Sequence, residues 1–135
     1  MIKINDLTIG DYVICEFEGN NREGEVTGLN KAGKQIAVTT AVQEFWFEEE
    51  HLFPIPLDEE QLLKLQFALT ESEPGTAKYV KGPFRIVLPQ KGNFEHMEIW
   101  YREDKRHNPK IHFVHQLQNA YLDMTKVHLT DSVVV

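Results

Sequence analysis

Six histidines, at positions 51, 96, 107, 112, 115 and 128, are the side chains best suited to proton transfer near neutrality or to holding a metal. His112 and His115 stand three apart, so one helical turn could present both to one ion. Against that, Ile111-His-Phe113 looks extended, no His-Glu-x-x-His is present, and a single cysteine, Cys15, excludes a Cys-rich zinc site. The histidines are therefore read as structural or surface groups. His115, Gln116 and Asn119 would form a polar stripe on a last helix, read as a solvated or interlobe hydrogen-bonding face. Carboxylates are plentiful, but acid–base catalysis needs two at a set separation in a pocket. Glu48-Glu-Glu50 reads instead as a solvated strand end, Asp58-Glu-Glu60 as a helix start, and Glu103-Asp104 as part of a charged turn. No serine elbow, phosphate-cradling glycine loop or dinucleotide fingerprint occurs, and Gly24, Gly28 and Gly33 fit strands and turns. The expectation is a protein that is not an enzyme, with no catalytic residue, no cofactor and no metal.

Two surfaces carry recognition chemistry. Residues 100–110 place Arg102, Lys105, Arg106 and Lys110 beside Trp100 and Tyr101, a mixture that contacts phosphates and stacks on bases. Glu103 and Asp104 dilute it, and a solvated hairpin loop with local salt bridges is the simpler reading. Tyr12 and Trp46 fall on the outward face of their strands, where exposed aromatics with acidic neighbours suit a protein or peptide contact unless the second half covers them. The partner-binding candidates are thus Tyr12, Trp46, Trp100, Arg102, Lys105 and Arg106.

The net charge of −7 disfavours general adhesion to a polyanion, because nucleic-acid affinity comes largely from Lys and Arg neutralising phosphates. The charge is unevenly divided. Residues 1–57 hold four basic and ten acidic residues, and residues 58–135 hold ten and eleven, so an anionic partner belongs to the second half. A chain of 135 residues with 41% apolar content fits one ordinary domain or two very small ones. No apolar run approaches the roughly 20 residues that cross a bilayer, and the start lacks the basic-then-apolar order of a secretory signal. The expected location is the cytoplasm, with no membrane contact and the oligomeric state open.

The elements that must position these residues follow from periodicity. Asp11 to Phe17 alternates, with Val13, Cys15 and Phe17 on one face and Tyr12, Ile14 and Glu16 on the other. Gly19-Asn-Asn21 predicts a hairpin turn into a second strand over 23–29; Cys15 would be a small buried hydrophobe. A turn at 30–33 leads to a third strand over 35–40, and a fourth covers 44–48 with Phe45 and Phe47 inward and Trp46 outward. The inward set is Val13, Cys15, Phe17, Val26, Ile36, Val38, Phe45 and Phe47, in a meander curled into a small barrel. Phe53-Pro-Ile-Pro56 is the one linker-like joint. Beyond it, Asp58 predicts an N-cap for a helix near 58–67 with Leu62, Leu63 and Phe67 as its apolar contacts. Residues 71–76 read as a loop, strands lie near 84–88 and 94–101, 104–109 is turn-like, 111–113 begins extended, and a closing helix covers 114–125. Val133-Val-Val135 offers a β-branched run for a sheet edge. The fold class is mainly β, or α+β: a barrel-like lobe over 1–57 on a small α+β lobe over 58–135.

Ile4-Asn-Asp-Leu-Thr-Ile-Gly-Asp-Tyr-Val13, Pro54-Ile-Pro-Leu-Asp-Glu-Glu-Gln-Leu-Leu63 and Val114-His-Gln-Leu-Gln-Asn-Ala-Tyr121 together resemble a family of small proteins of unassigned function from bacterial prophages and mobile elements. The chain has Gln66 where that family usually has Gly before Phe67. The first lobe is similar to the small barrels of Tudor or KOW modules, which bind proteins or nucleic acids. The resemblance implies no activity; together with the missing catalytic motifs and the acidic charge it leads to the expectation of a non-catalytic interaction protein of mobile-element origin that binds a protein partner. A nucleic-acid-binding accessory protein using residues 100–110 is the alternative. An acidic inhibitor that mimics a phosphate backbone through Glu48, Glu49 and Glu50 ranks third.

Overall fold

The computed structural model describes residues 1–70, 73–107 and 111–129. Strands β1 (Tyr12–Phe17), β2 (Asn20–Asn30), β3 (Gln35–Thr39), β4 (Glu44–Glu48) and β5 (Leu52–Phe53) form an antiparallel sheet in the order β4-β3-β2-β1-β5. The hairpin turn lies one residue earlier than its sequence suggests. Glu18 and Gly19 both take positive φ, 51° and 80°, and Phe17 pairs with Asn20. Two successive left-handed residues give the turn whose twist matches a hairpin, and this frees Asn20 and Asn21 to enter the ladder. β2 carries an irregularity between Val26 and Gly28, and the extra residue, Thr27, bends the strand and tightens the curl. Gly24 is obligatory, since a Cβ there would lie 2.5 Å from Val38 Cγ1 and 2.9 Å from the Thr39 carbonyl oxygen.

The fifth strand is unanticipated because two residues carry no period. A one-turn 3-10 helix, Glu49–His51, swings Leu52 and Phe53 back beside Cys15 and Ile14 of β1. Glu49 is not the solvated strand end its run implied, because its carboxylate accepts the backbone N–H of Ile4 at 2.6 Å. The core of this half comprises Ile2, Ile4, Leu7, Val13, Cys15, Val26, Ile36, Val38, Phe47 and Leu52, with Phe45 half-buried. Phe17 departs from the inward set. It sits at the end of β1 with half its surface exposed.

The second sheet is also an antiparallel meander, β6 (Ala68–Thr70), β7 (Ala77–Lys81), β8 (Phe84–Leu88), β9 (Glu98–Tyr101) and β10 (Asp104–His107), in the order β10-β9-β8-β7-β6. Three corrections arise here. β6 and β7 are additional strands, the latter hidden in sequence by Lys78 and Lys81 on either side of buried Tyr79. Residues 94–96 form a 3-10 turn, so β9 starts only at Glu98. Asp104–His107, read as a turn, is an edge strand held by its ladder to β9, with backbone pairing in place of an apolar pattern. The predicted loop at 71–76 is described only from residue 73, and Lys110 and 133–135 lie outside the described residues.

Helices α1 (Glu59–Lys64) and α2 (Val114–Thr125) cover one face of this sheet. Asp58 caps α1 as expected, its Oδ1 accepting from the Gln61 N–H at 2.8 Å. Leu62 and Leu65, three apart, enter the core, whereas Leu63 lies round the helix and is exposed. Gln66 stops α1 at φ 68°, a left-handed conformation that suits glycine best. Lys81 Nζ then donates to the Leu65 and Leu129 carbonyls at 3.0 and 2.9 Å. At the start of α2, Gln116 Oε1 reaches back to accept from the N–H groups of His112 and Phe113.

The joint at 53–56 is no free linker. Ile55 and Leu57 are buried in the second core, Val114 N–H donates to Ile55 O at 2.8 Å, and Leu57 N–H donates to His112 O at 3.1 Å. β1 serves both halves, with Val13 and Cys15 in the first core and Tyr12 and Ile14 against the second.

Candidate functional site

Strand register decides which of the sequence candidates meet. Arg85, Trp100 and Lys105 lie directly opposite one another across β8, β9 and β10. The Arg85 guanidinium stands 5.3 Å from the Trp100 ring centroid and Lys105 Nζ 5.6 Å from it, both within cation–π range. Trp100 Nε1 donates to Glu98 Oε1 at 3.4 Å, and Lys105 pairs with the other oxygen of Glu98 at 3.5 Å. Arg85 also donates to the Arg102 carbonyl, which ties the cluster to the β9–β10 turn.

The other two basic candidates are separated from this cluster. Arg102 occupies the turn at φ 59°, with its guanidinium 5.3 Å from the ring of Tyr101, not Trp100. Arg106 pairs with buried Ile99, so it belongs to the opposite side of the edge strand from Lys105. Arg85 is the member that sequence reasoning missed. The alternation of Phe84-Arg-Ile-Val-Leu88 already turns Arg85 outward, but only the β8–β9 register sets it against Trp100.

Tyr12 is half-buried against the second core, and its N–H donates to Gln118 Oε1 at 2.7 Å, so the second half covers it. Burial, followed by the nearby Glu25, raises its hydroxyl pKa. Trp46 does face outward and is 54% exposed. Its ring lies against Gly28, where a Cβ would come within 3.3 Å of it.

At the end of the first sheet, Phe17, Val42, Phe45 and Phe47 line a cleft of about 230 Å³ with Cys15, rimmed by Glu18, Asn20, Arg22 and Thr40. Phe17 stacks on Phe45 with centroids 5.3 Å apart and planes 18° from parallel, and Phe45 meets Phe47 edge-on at 6.3 Å. Phe17 and Val42 are 50% and 63% exposed. Cys15 donates to the Arg22 carbonyl at 3.4 Å, and burial pushes its thiol pKa up, which makes it a poor nucleophile.

The polar groups of α2 face the first half. Gln118 Nε2 donates to Gly10 O at 2.9 Å, and Asn119 Nδ2 donates to Asp6 O and to Asp11 Oδ2 at 3.2 and 3.1 Å. Of the predicted stripe only Asn119 bonds across to the first half; Gln116 caps its own helix, and Gln118, which the stripe did not include, makes the other bonds. Asp11 also accepts from Thr8 N–H, yet its burial dominates and raises its pKa to about 7. His115 is buried with Nδ1 unpartnered, and burial lowers its pKa against the pull of Asp6. His112 is exposed while His115 is not, and among the described residues no three His, Cys, Asp or Glu side chains are grouped to hold a metal. No helix of the described residues is long and apolar enough to cross a membrane. No protein-family model, curated protein or solved structure matches the chain.

Proposed function

We propose that the protein is a non-catalytic interaction protein, of the kind carried by prophages and mobile elements, which takes an apolar side chain of a protein partner into the cleft at the end of its first sheet. The observation that carries this reading is the pairing of two strongly exposed apolar residues, Phe17 and Val42, across one aromatic-lined cleft. Apolar surface gathered in a concave site gains free energy when covered, and aromatic pockets are where binding energy concentrates. The meander order, with a 3-10 turn before the last strand, supports the likeness to small Tudor-type barrels as binding modules.

The test compares affinity capture by the wild-type chain and by a Phe17→Ser, Val42→Ser variant whose fold is verified by circular dichroism. A partner retained by the wild type and lost by the variant is the expected result. Equal recovery by both, or turnover of a substrate in a broad hydrolase and transferase screen, would refute the reading.

A further inference from the structure

The outer face of the second sheet has a composition unlike the rest of this acidic molecule. Alternation places Lys78 and Val80 of β7, Arg85 and Val87 of β8, Glu98 and Trp100 of β9, and Lys105 of β10 on the side opposite the helices. Val80, Val87 and Trp100 belong to neither hydrophobic core and are half-buried on the face that the helices do not pack against. It presents three cations against one carboxylate, Glu98, and that carboxylate is already engaged by Lys105 and by the Trp100 indole N–H. A net positive face on a chain of net charge −7 selects an anion locally while the whole molecule repels polyanions in general.

The aromatic decides which anion. With its N–H committed to Glu98, Trp100 has only its ring left for recognition; Arg85 and Lys105 lie over that ring, so a stacking base takes the place of a cation and frees it for a phosphate. A ligand that alternates flat π-systems with phosphates satisfies both features, whereas an acidic peptide would use the cations and leave the ring unfilled. Strands stand about 4.8 Å apart, so β7 to β10 span roughly 14 Å, enough for two or three nucleotides. We infer that this face binds single-stranded nucleic acid without sequence preference, through stacking on Trp100 and phosphate contacts to Lys78, Arg85 and Lys105. The interaction is separate from the cleft of the first sheet and does not rest on it.

The experiment uses the full chain. Trp46→Phe removes the only other tryptophan, so the remaining emission reports Trp100. Fluorescein-labelled dT12 is titrated by anisotropy and unlabelled dT12 by tryptophan quenching, from 50 to 300 mM salt. Binding that quenches Trp100, with a log–log salt slope near −2 for three phosphates on a single strand, is expected. Arg85→Ala with Lys105→Ala should weaken binding at least tenfold. Trp100→Leu should weaken it as much, with partial recovery in Trp100→Phe. Arg106→Ala, altered on the other side of the same strand, should bind as the parent does. Absent binding at 50 mM salt, equal loss in Arg106→Ala, or competition by polyglutamate as effective as by dT12 would each overturn the inference, the last by pointing to an acidic protein instead.

Discussion

Asp11 holds a carboxyl that is 2% exposed and has two N–H donors, both directed at Oδ2. Those donors favour the anion, but loss of water outweighs them, and the pKa rises from 3.8 to about 7. A group with a raised folded pKa contributes stability that is fully present below its unfolded value and is lost as pH rises through the folded one. For Asp11 the loss therefore runs from about pH 4 to pH 7 and amounts to no more than about 4 kcal/mol. Asn at this position offers the same acceptor without the charge. Urea unfolding of Asp11→Asn should show a gain of about 2 kcal/mol over wild type at pH 8 that shrinks towards pH 4; an equal difference at both pH values would count against the assignment. His115 acts in the opposite sense: its lowered pKa contributes stability above its ordinary value of 6.5, lost as pH falls through the folded one. Neither shift was legible in sequence. Asp11 reads there as the start of the first alternating run and His115 as one member of a stripe, and only the docking of α2 on the β1 entry buries them.

At the scale of elements, what was legible followed the strength of each periodic signal. β1, β3 and β4 alternate clearly, and their faces came out as read except at Phe17, where the strand ends and burial ends with it. β5, β6, β7 and β10 were not legible: β5 and β6 are too short for a pattern, Lys78 and Lys81 mask β7, and the charged β10 takes its pairing from β9. The basic-aromatic segment was recognised by composition, but its division into Lys105 with Trp100, Arg102 with Tyr101, and Arg106 on the other side is a matter of register. Of the stripe His115, Gln116 and Asn119, read as a solvated or interlobe face, only Asn119 reaches the first half, and Gln118, outside the stripe, supplies the other bonds and a quantitative expectation. Gln118 is 5% exposed and bridges Tyr12 N–H and Gly10 O across the halves. Gln118→Ala leaves a donor and an acceptor unpaired, each costing about 1–3 kcal/mol when buried. A loss of roughly 2–6 kcal/mol in urea unfolding is expected. A change below 0.5 kcal/mol would mean that water replaces the bridge.

For the whole molecule, the decisive arrangement is that neither half owns all of its surfaces. Tyr12 and Ile14 lie on the back of β1 against the second core, Ile55 and Leu57 precede the second half yet are buried in its core, and Gln118 and Asn119 reach back to Gly10, Asp6 and Asp11. The joint at 53–56 looked like a linker because Pro brackets Ile, a local signal that says nothing about which core receives the isoleucine. A half of this size has a thin core, since about 60 residues bury only about 60% of their unfolded surface, and burial across the joint makes up the deficit. Stability should therefore be lost from both sheets together. The two tryptophans provide the test, because Trp46 reports β4 of the first sheet and Trp100 reports β9 of the second. In single-tryptophan variants made by Trp100→Phe and Trp46→Phe, the urea transitions should coincide in midpoint and steepness, as two-state unfolding requires. A Trp46 transition that precedes the Trp100 transition would show that the seam around Asp11 and Gln118 opens before either core melts, and that the protein behaves as two small domains.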